Sequence, residues 1–136
     1  MKPNLVLFSL LIVSLVAAWG GANTSTPRVF FTAPVNGASV NSPVHVTLNS
    51  ETFTVEPAGE VKAGAGHLHI IVDTECTAAG QIVPKDDTHL HYGKGQLEAD
   101  LELAPGSHTL CLQAADGVHT ALAGEGLTQT ITITVK

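Results

Sequence analysis

Apolar and polar residues alternate in short runs along most of this chain, and glycine, proline or asparagine separates one run from the next. Alternation with a period of two belongs to half-buried strands, and closely spaced turn residues belong to all-β folds. Arg28 to Thr32 is a first strand, stopped at Ala33-Pro34. Asn36-Gly37 is a turn. Val44, Val46 and Leu48 share one face of the next strand, with His45 and Thr47 on the other. Thr52 to Val55 is a short strand, and Ala58 to Gly66 a glycine-rich loop. His67 to Asp73 carries the clearest pattern, with Leu68, Ile70 and Val72 on one side and His67, His69, Ile71 and Asp73 on the other. Thr74 to Asp87 is a long connection, and His89 to Tyr92 a short extended piece.

Gln96 to Leu103 alternates again, and Ala104-Pro105-Gly106 turns the chain, so the strand His108 to Ala114 is expected to pair with it as an antiparallel hairpin. Asp116-Gly117 makes another turn. Leu127 to Val135 closes the fold, with Ile131, Ile133 and Val135 set against Thr130, Thr132 and Thr134. Seven or eight short strands in about 110 residues predict an all-β fold, an immunoglobulin-like antiparallel β-sandwich.

The pattern fails only at the start. Lys2 is followed by an uncharged run from Leu5 to Ala18, then by the small residues Gly20, Gly21 and Ala22. That order reads as a signal peptide over residues 1–22, cleaved after Ala22, with a single β domain over residues 23–136. The rival reading is an uncleaved anchor. Removing residues 1–22 takes away one charged side chain, Lys2, so the net charge moves from −6 to −7. An acidic surface repels phosphate backbones, which argues against nucleic acid as a partner. No second apolar run is long enough to cross a bilayer as a helix, so no stable membrane span is expected after cleavage. The expected location is the periplasm or the exterior. In such an oxidising compartment Cys76 and Cys111, the two cysteines, read as one disulfide.

The chemistry in the chain is concentrated in histidine. Six of the seven histidines fall between positions 67 and 119. His67/His69 and His89/His91 form two His-x-His pairs, and residues i and i+2 of a strand point the same way. If the two segments are neighbours, four imidazoles converge. Neutral imidazole is the commonest protein ligand for zinc and copper. His108 and His119 are possible additions to the ligand set, and Asp73, Asp100 and Asp116 are candidates to orient ring N–H groups. With the cysteines bonded to each other and no methionine beyond Met1, an electron-transfer copper site is disfavoured, and zinc or copper(II) on nitrogen and oxygen ligands is what remains. A hydrogen-bonded structural network of histidines is the competing reading. His45, opposite the apolar face of its strand, reads as exposed.

No catalytic constellation stands out. There is no G-x-S-x-G elbow, P-loop or dinucleotide fingerprint. Glu98, Asp100 and Glu102 alternate with leucines as a solvated strand face, and Gly93-Lys94-Gly95-Gln96 has no helix after it to make a phosphate site. The residues therefore favour an exported module binding a divalent metal or a small polar ligand. A structural or interaction domain of the cell envelope is the alternative. A metal-dependent enzyme is the third reading and needs an open coordination position beside a pocket.

Several phrases occur in a fixed order: Val29-Phe30-Phe31 to Pro34, Asn36-Gly37-Ala38, Pro57-Ala58-Gly59, GAGHLHIIVD from Gly64 to Asp73, HLHYGKGQ from His89 to Gln96, LAPGSHTL from Leu103 to Leu110, and Asp116 to His119. In that order the chain resembles the bacterial family called domain of unknown function 4399, from about position 28 to the end. The resemblance implies an exported protein with a compact β domain and brings no established activity. Leu68 stands where many members carry a third histidine, so the resemblance carries over to His67 and His69 and not to the position between them. Cys76 and Cys111 match a subset of the family.

Overall fold

The computed structural model describes Gly21 and residues 25–136. The segment read as a signal peptide lies, apart from Gly21, outside them. Nine strands follow in order: β1 (Arg28–Ala33), β2 (Ser39–Val40), β3 (Val44–Glu51), β4 (Thr54–Val55), β5 (Ala65–Val72), β6 (His89–Tyr92), β7 (Glu98–Leu101), β8 (Gly106–Ala115) and β9 (Thr128–Val135). The one helical element among the described residues is a 3-10 turn at Glu125–Leu127.

The strands make two sheets. One has the order β1-β3-β7, and both of its pairings are antiparallel. The other runs β2-β9-β8-β5, and β5 shares its far edge between β4, paired parallel at Ala65 and Gly66, and β6, paired antiparallel from Leu68 to Ile71. The core lies between the sheets. Val29, Phe31, Val44, Val46, Leu48 and Leu101 come from the first, and Leu68, Ile70, Leu110, Leu112, Ile131 and Ile133 from the second. Burial of each large apolar side chain contributes roughly 1.5–3 kcal/mol, and this interleaved layer is what holds the sandwich closed.

Besides the parallel pairings of β2 with β9 and of β4 with β5, which the expected antiparallel sandwich does not contain, two features depart from the sequence expectation. The chain does turn after Leu101, but β7 and β8 are not a hairpin. β7 pairs with β3 (Val44 opposite Leu101, Thr47 opposite Glu98), whereas β8 lies between β5 and β9 in the other sheet. The Ala104-Pro105-Gly106 turn carries the chain from one layer to the other, which lets Leu101 and Leu110 both face the core. The second departure concerns β5. Its alternation reads as one buried and one polar face, yet all eight residues are buried.

The outer face of β5 is buried because a third layer covers it. The connection between β5 and β6 crosses the outside of the sheet, and the segment after β8 folds back to meet it. Gly80 N donates to Ala121 O (2.8 Å), Ala121 N to Gln81 O (2.8 Å) and Val83 N to His119 O (2.9 Å). Val83, Ala115 and Ala121 form a small second core beneath them. Two fasteners hold this cover to β8. The Cys76–Cys111 disulfide is one, joining the connection to the strand across 35 positions. The buried amide of Gln113 is the other: its Oε1 accepts from Thr77 N (2.8 Å) and its Nε2 donates to Thr77 O (2.6 Å).

Candidate functional site

Register places the histidine pairs side by side. In the β5–β6 ladder His69 is directly opposite His91, and Ile71 opposite His89. Leu90 and Tyr92 pack toward the core, so both histidines of β6 take the outer face with His67 and His69. His119 reaches the same place from above. Asp116 Oδ1 accepts from Val118 N (3.0 Å) and Thr120 N (2.8 Å), and this tight turn holds His119 in the left-handed region at φ 72°. Gly117 lets the turn seat against the 58–60 loop, since a Cβ there would lie 2.3 Å from Glu60 O.

Four imidazoles therefore meet: His67, His69, His91 and His119. Every pair of ring centroids is 4.7–5.9 Å apart. The Nε2 atoms of His67 and His69 are 3.0 Å apart, and those of His91 and His119 3.1 Å. Tetrahedral zinc with nitrogen at 2.0–2.1 Å has neighbouring ligand atoms about 3.3 Å apart, so both contacts are close to the edge of such a polyhedron. Candidate ligand atoms of His67, His91 and His119 all lie within 4.8 Å of one another. An ion there requires the rings to draw together by small rotations.

The protonation of these rings suits a cation. Burial, then the charges of His119 and His91, pushes the His67 pKa down to about 4, against a small opposing pull from Asp116. Burial, then the neighbouring histidines, pushes His69 down to about 3. His91 is also lowered, by burial first and then by His119 and Lys85. At neutral pH these three rings are uncharged and each carries one lone-pair nitrogen, the form that binds metal.

Hydrogen bonding alone does not satisfy the cluster. A neutral imidazole has one donor and one acceptor. The contact between His67 and His69 uses one of each, and the Nδ1 atoms of both rings are buried with no partner among the described residues. Each orphan costs roughly 1–3 kcal/mol, and an ion held by the facing Nε2 atoms would leave both Nδ1 atoms as they are.

The remaining candidates lie elsewhere. His89 is on the same face, but its Nδ1 lies 2.7 Å from Asp86 Oδ1 and turns it away from the four rings. His108 is at the far end of β8, where Nδ1 contacts Asp73 Oδ2 at 2.7 Å and Nε2 contacts Ala104 O at 2.8 Å. Asp73 therefore supports His108 and not the cluster, whereas Asp116 shapes the turn beneath His119. His45 is exposed on the other sheet beside Asp100 (2.7 Å). Sequence pattern does not single out Asp86 or Lys85, and it offers Gly93 only as part of a glycine-rich turn. The signal for Gly93 is its place two residues after His91. A Cβ at Gly93 would lie 2.2 Å from His91 Cε1 and 2.4 Å from Nε2, so the imidazole occupies the space that a side chain would take.

The His108–Asp73 pair has its own pH signature. Backbone bonding to Ala104 and the Asp73 carboxylate raise the His108 pKa. Burial pushes the Asp73 carboxyl up, but the His108 ring and Thr109 N–H outweigh it and the net shift is downward. The histidine contribution is present below its unfolded value near 6.5 and is lost as pH rises through the raised folded value. The carboxylate contribution is present above about 3.9 and is lost as pH falls. Asp73→Asn is expected to cost about 1 kcal/mol at pH 5.5 and less at pH 8, read from urea midpoints at the two values.

A cavity of about 280 Å³ opens onto the cluster, lined by His69, His91 and His119 together with Ile82, Val83, Pro84, Lys85 and Val118. His67 is fully buried at the back of the group. No curated protein and no solved structure matches the chain. The family model described as a domain of unknown function, DUF4399, matches residues 46–136, which include the described histidines from His67 to His119, so the chain belongs to that family.

Proposed function

We propose that this domain is an exported module that binds one divalent ion, zinc or copper(II), through His67, His69, His91 and His119. The observation that carries the reading is the meeting of four imidazoles from β5, β6 and the 116–120 turn at the floor of a solvent-open cavity, with their Nε2 atoms paired at 3.0 and 3.1 Å. Both cysteines are in the disulfide, so the donor set is nitrogen alone, which suits zinc or copper(II) over copper(I). Export rests on the N-terminal pattern and is consistent with the disulfide.

Protein purified without a histidine tag is expected to take up about one equivalent of zinc or copper, measured by elemental analysis after dialysis. At a free-ion concentration a hundred times Kd, binding contributes about 2.7 kcal/mol and raises the melting temperature by about 10 °C. His67→Ala with His91→Ala should abolish both effects. Uptake below about a tenth of an equivalent overturns the proposal.

Gly93→Ala offers a finer check. Its methyl group pushes the His91 ring out of place without touching the core. Affinity is expected to fall about tenfold or more, by competition with a chromophoric chelator, with an unchanged far-ultraviolet spectrum.

A further inference from the structure

The cavity has a chemical character of its own. Ile82 and Val118 stand 62% and 52% exposed on either side of its mouth, an unfavourable place for large apolar side chains unless something covers them. They are not mobile tips, because Ile82 is bridged to Thr120 in the ladder that joins the two covering segments. Val83 and Pro84 continue the apolar wall. Lys85 supplies the one positive charge of the lining and forms no ion pair among the described residues, where Arg28 and Lys62 each hold a glutamate. In a chain of net charge −6 this leaves an uncompensated ammonium beside the histidines. Three of the four imidazoles face the cavity and the fourth lies behind them, so an ion held here has protein on one side and the cavity on the other.

We propose that the cavity binds a small organic anion, a carboxylate with an apolar body, whose carboxylate takes a fifth position on copper(II) at the cavity side of the four histidines, next to Lys85, while its body lies against Ile82, Pro84 and Val118. This rests on the metal-binding reading and adds a ligand class to it. A cationic ligand would meet both the ion and Lys85. A strongly hydrated inorganic anion gains nothing from the apolar walls. About 280 Å³ is just below the ~300–1,000 Å³ range of ligand sites, which sets a limit near the size of a benzoate.

The test uses full-length protein loaded with copper(II), titrated with benzoate, acetate and benzylammonium while the visible copper band and the heat of binding are followed. Benzoate is expected to shift the band and to bind at least about tenfold tighter than acetate, with benzylammonium silent. Lys85→Gln should weaken both carboxylates. Ile82→Ser with Val118→Ser, both at exposed positions, should remove the advantage of benzoate over acetate and leave the copper content at one equivalent. A loaded protein whose band does not respond to benzoate, or that binds benzylammonium as well as benzoate, overturns this proposal alone. A protein that retains no copper after dialysis overturns it together with the metal reading.

Discussion

Replacing both Cys76 and Cys111 by alanine is expected to lower the folding free energy by about 3–4 kcal/mol and the melting temperature by roughly 15 °C. The disulfide closes a loop of 35 positions, and without it the unfolded chain regains that conformational freedom. The loss should not be evenly spread. The 74–88 connection is otherwise held by the Gln113–Thr77 clamp, by its bonds to residues 119 and 121, and by the small core around Val83. Proteolysis under native conditions should therefore cut the variant within this connection before it cuts the sandwich. Addition of zinc should slow that cleavage, because His91 and His119 flank the same segment. A variant with an unchanged melting temperature would mean that the clamp and the small core alone suffice.

Lowering the pH of the metal-free protein from 7 to 4 is expected to cost several kcal/mol, a large part of the 5–15 kcal/mol that a domain of this size usually has. In the unfolded chain His67 and His69 take up protons below about 6.5. In the fold they resist until about pH 4 and pH 3, because burial comes first among the causes that depress them. Between those limits the unfolded state binds more protons, so stability falls as pH falls. A tenfold loss of proton affinity on folding is worth about 1.4 kcal/mol, although the two rings share one environment and their contributions do not simply add. The His108–Asp73 pair works in the opposite sense over pH 8 to 5, but it is near the surface and amounts to about 1 kcal/mol, so the buried pair dominates. The melting temperature against pH should slope downward below about 6.5, and His69→Gln should flatten the slope. A level profile between pH 7 and 5 would contradict a buried, neutral histidine pair.

Much of this molecule can be read locally from its residues. Alternation marks β1, β3, β5, β8 and β9, since an inward side chain at every second position is a property of each strand by itself. Two His-x-His pairs on strands need only adjacency to converge, and the β5–β6 ladder provides it. Which sheet a strand joins is a different matter. Nothing in Leu97 to Leu103 distinguishes pairing with β3 from pairing with β8. A turn as short as Ala104-Pro105-Gly106 serves a hairpin and a crossing between layers equally well. The two-residue β2 is too short to carry a period. The burial of His67 and His69 depends on a covering layer made from distant segments, and no pattern within β5 encodes it. Asp86 draws His89 aside by a contact that three residues of separation permit but do not demand. His119 joins instead because Asp116 bends the chain at that point.

β5 is buried from Ala65 to Val72 and paired on both edges from Leu68 to Ile71. Its central amides should thus exchange with heavy water only when the whole domain opens, whereas those of the covering connection exchange through local fraying. An ion seated on His67 and His69, as proposed, would be attached to the slowest part of the molecule and reached through one of the faster parts. Its residence time would then follow the breathing of the mouth between Pro84 and Val118, so that capture and release become matters of rate even where affinity is unchanged.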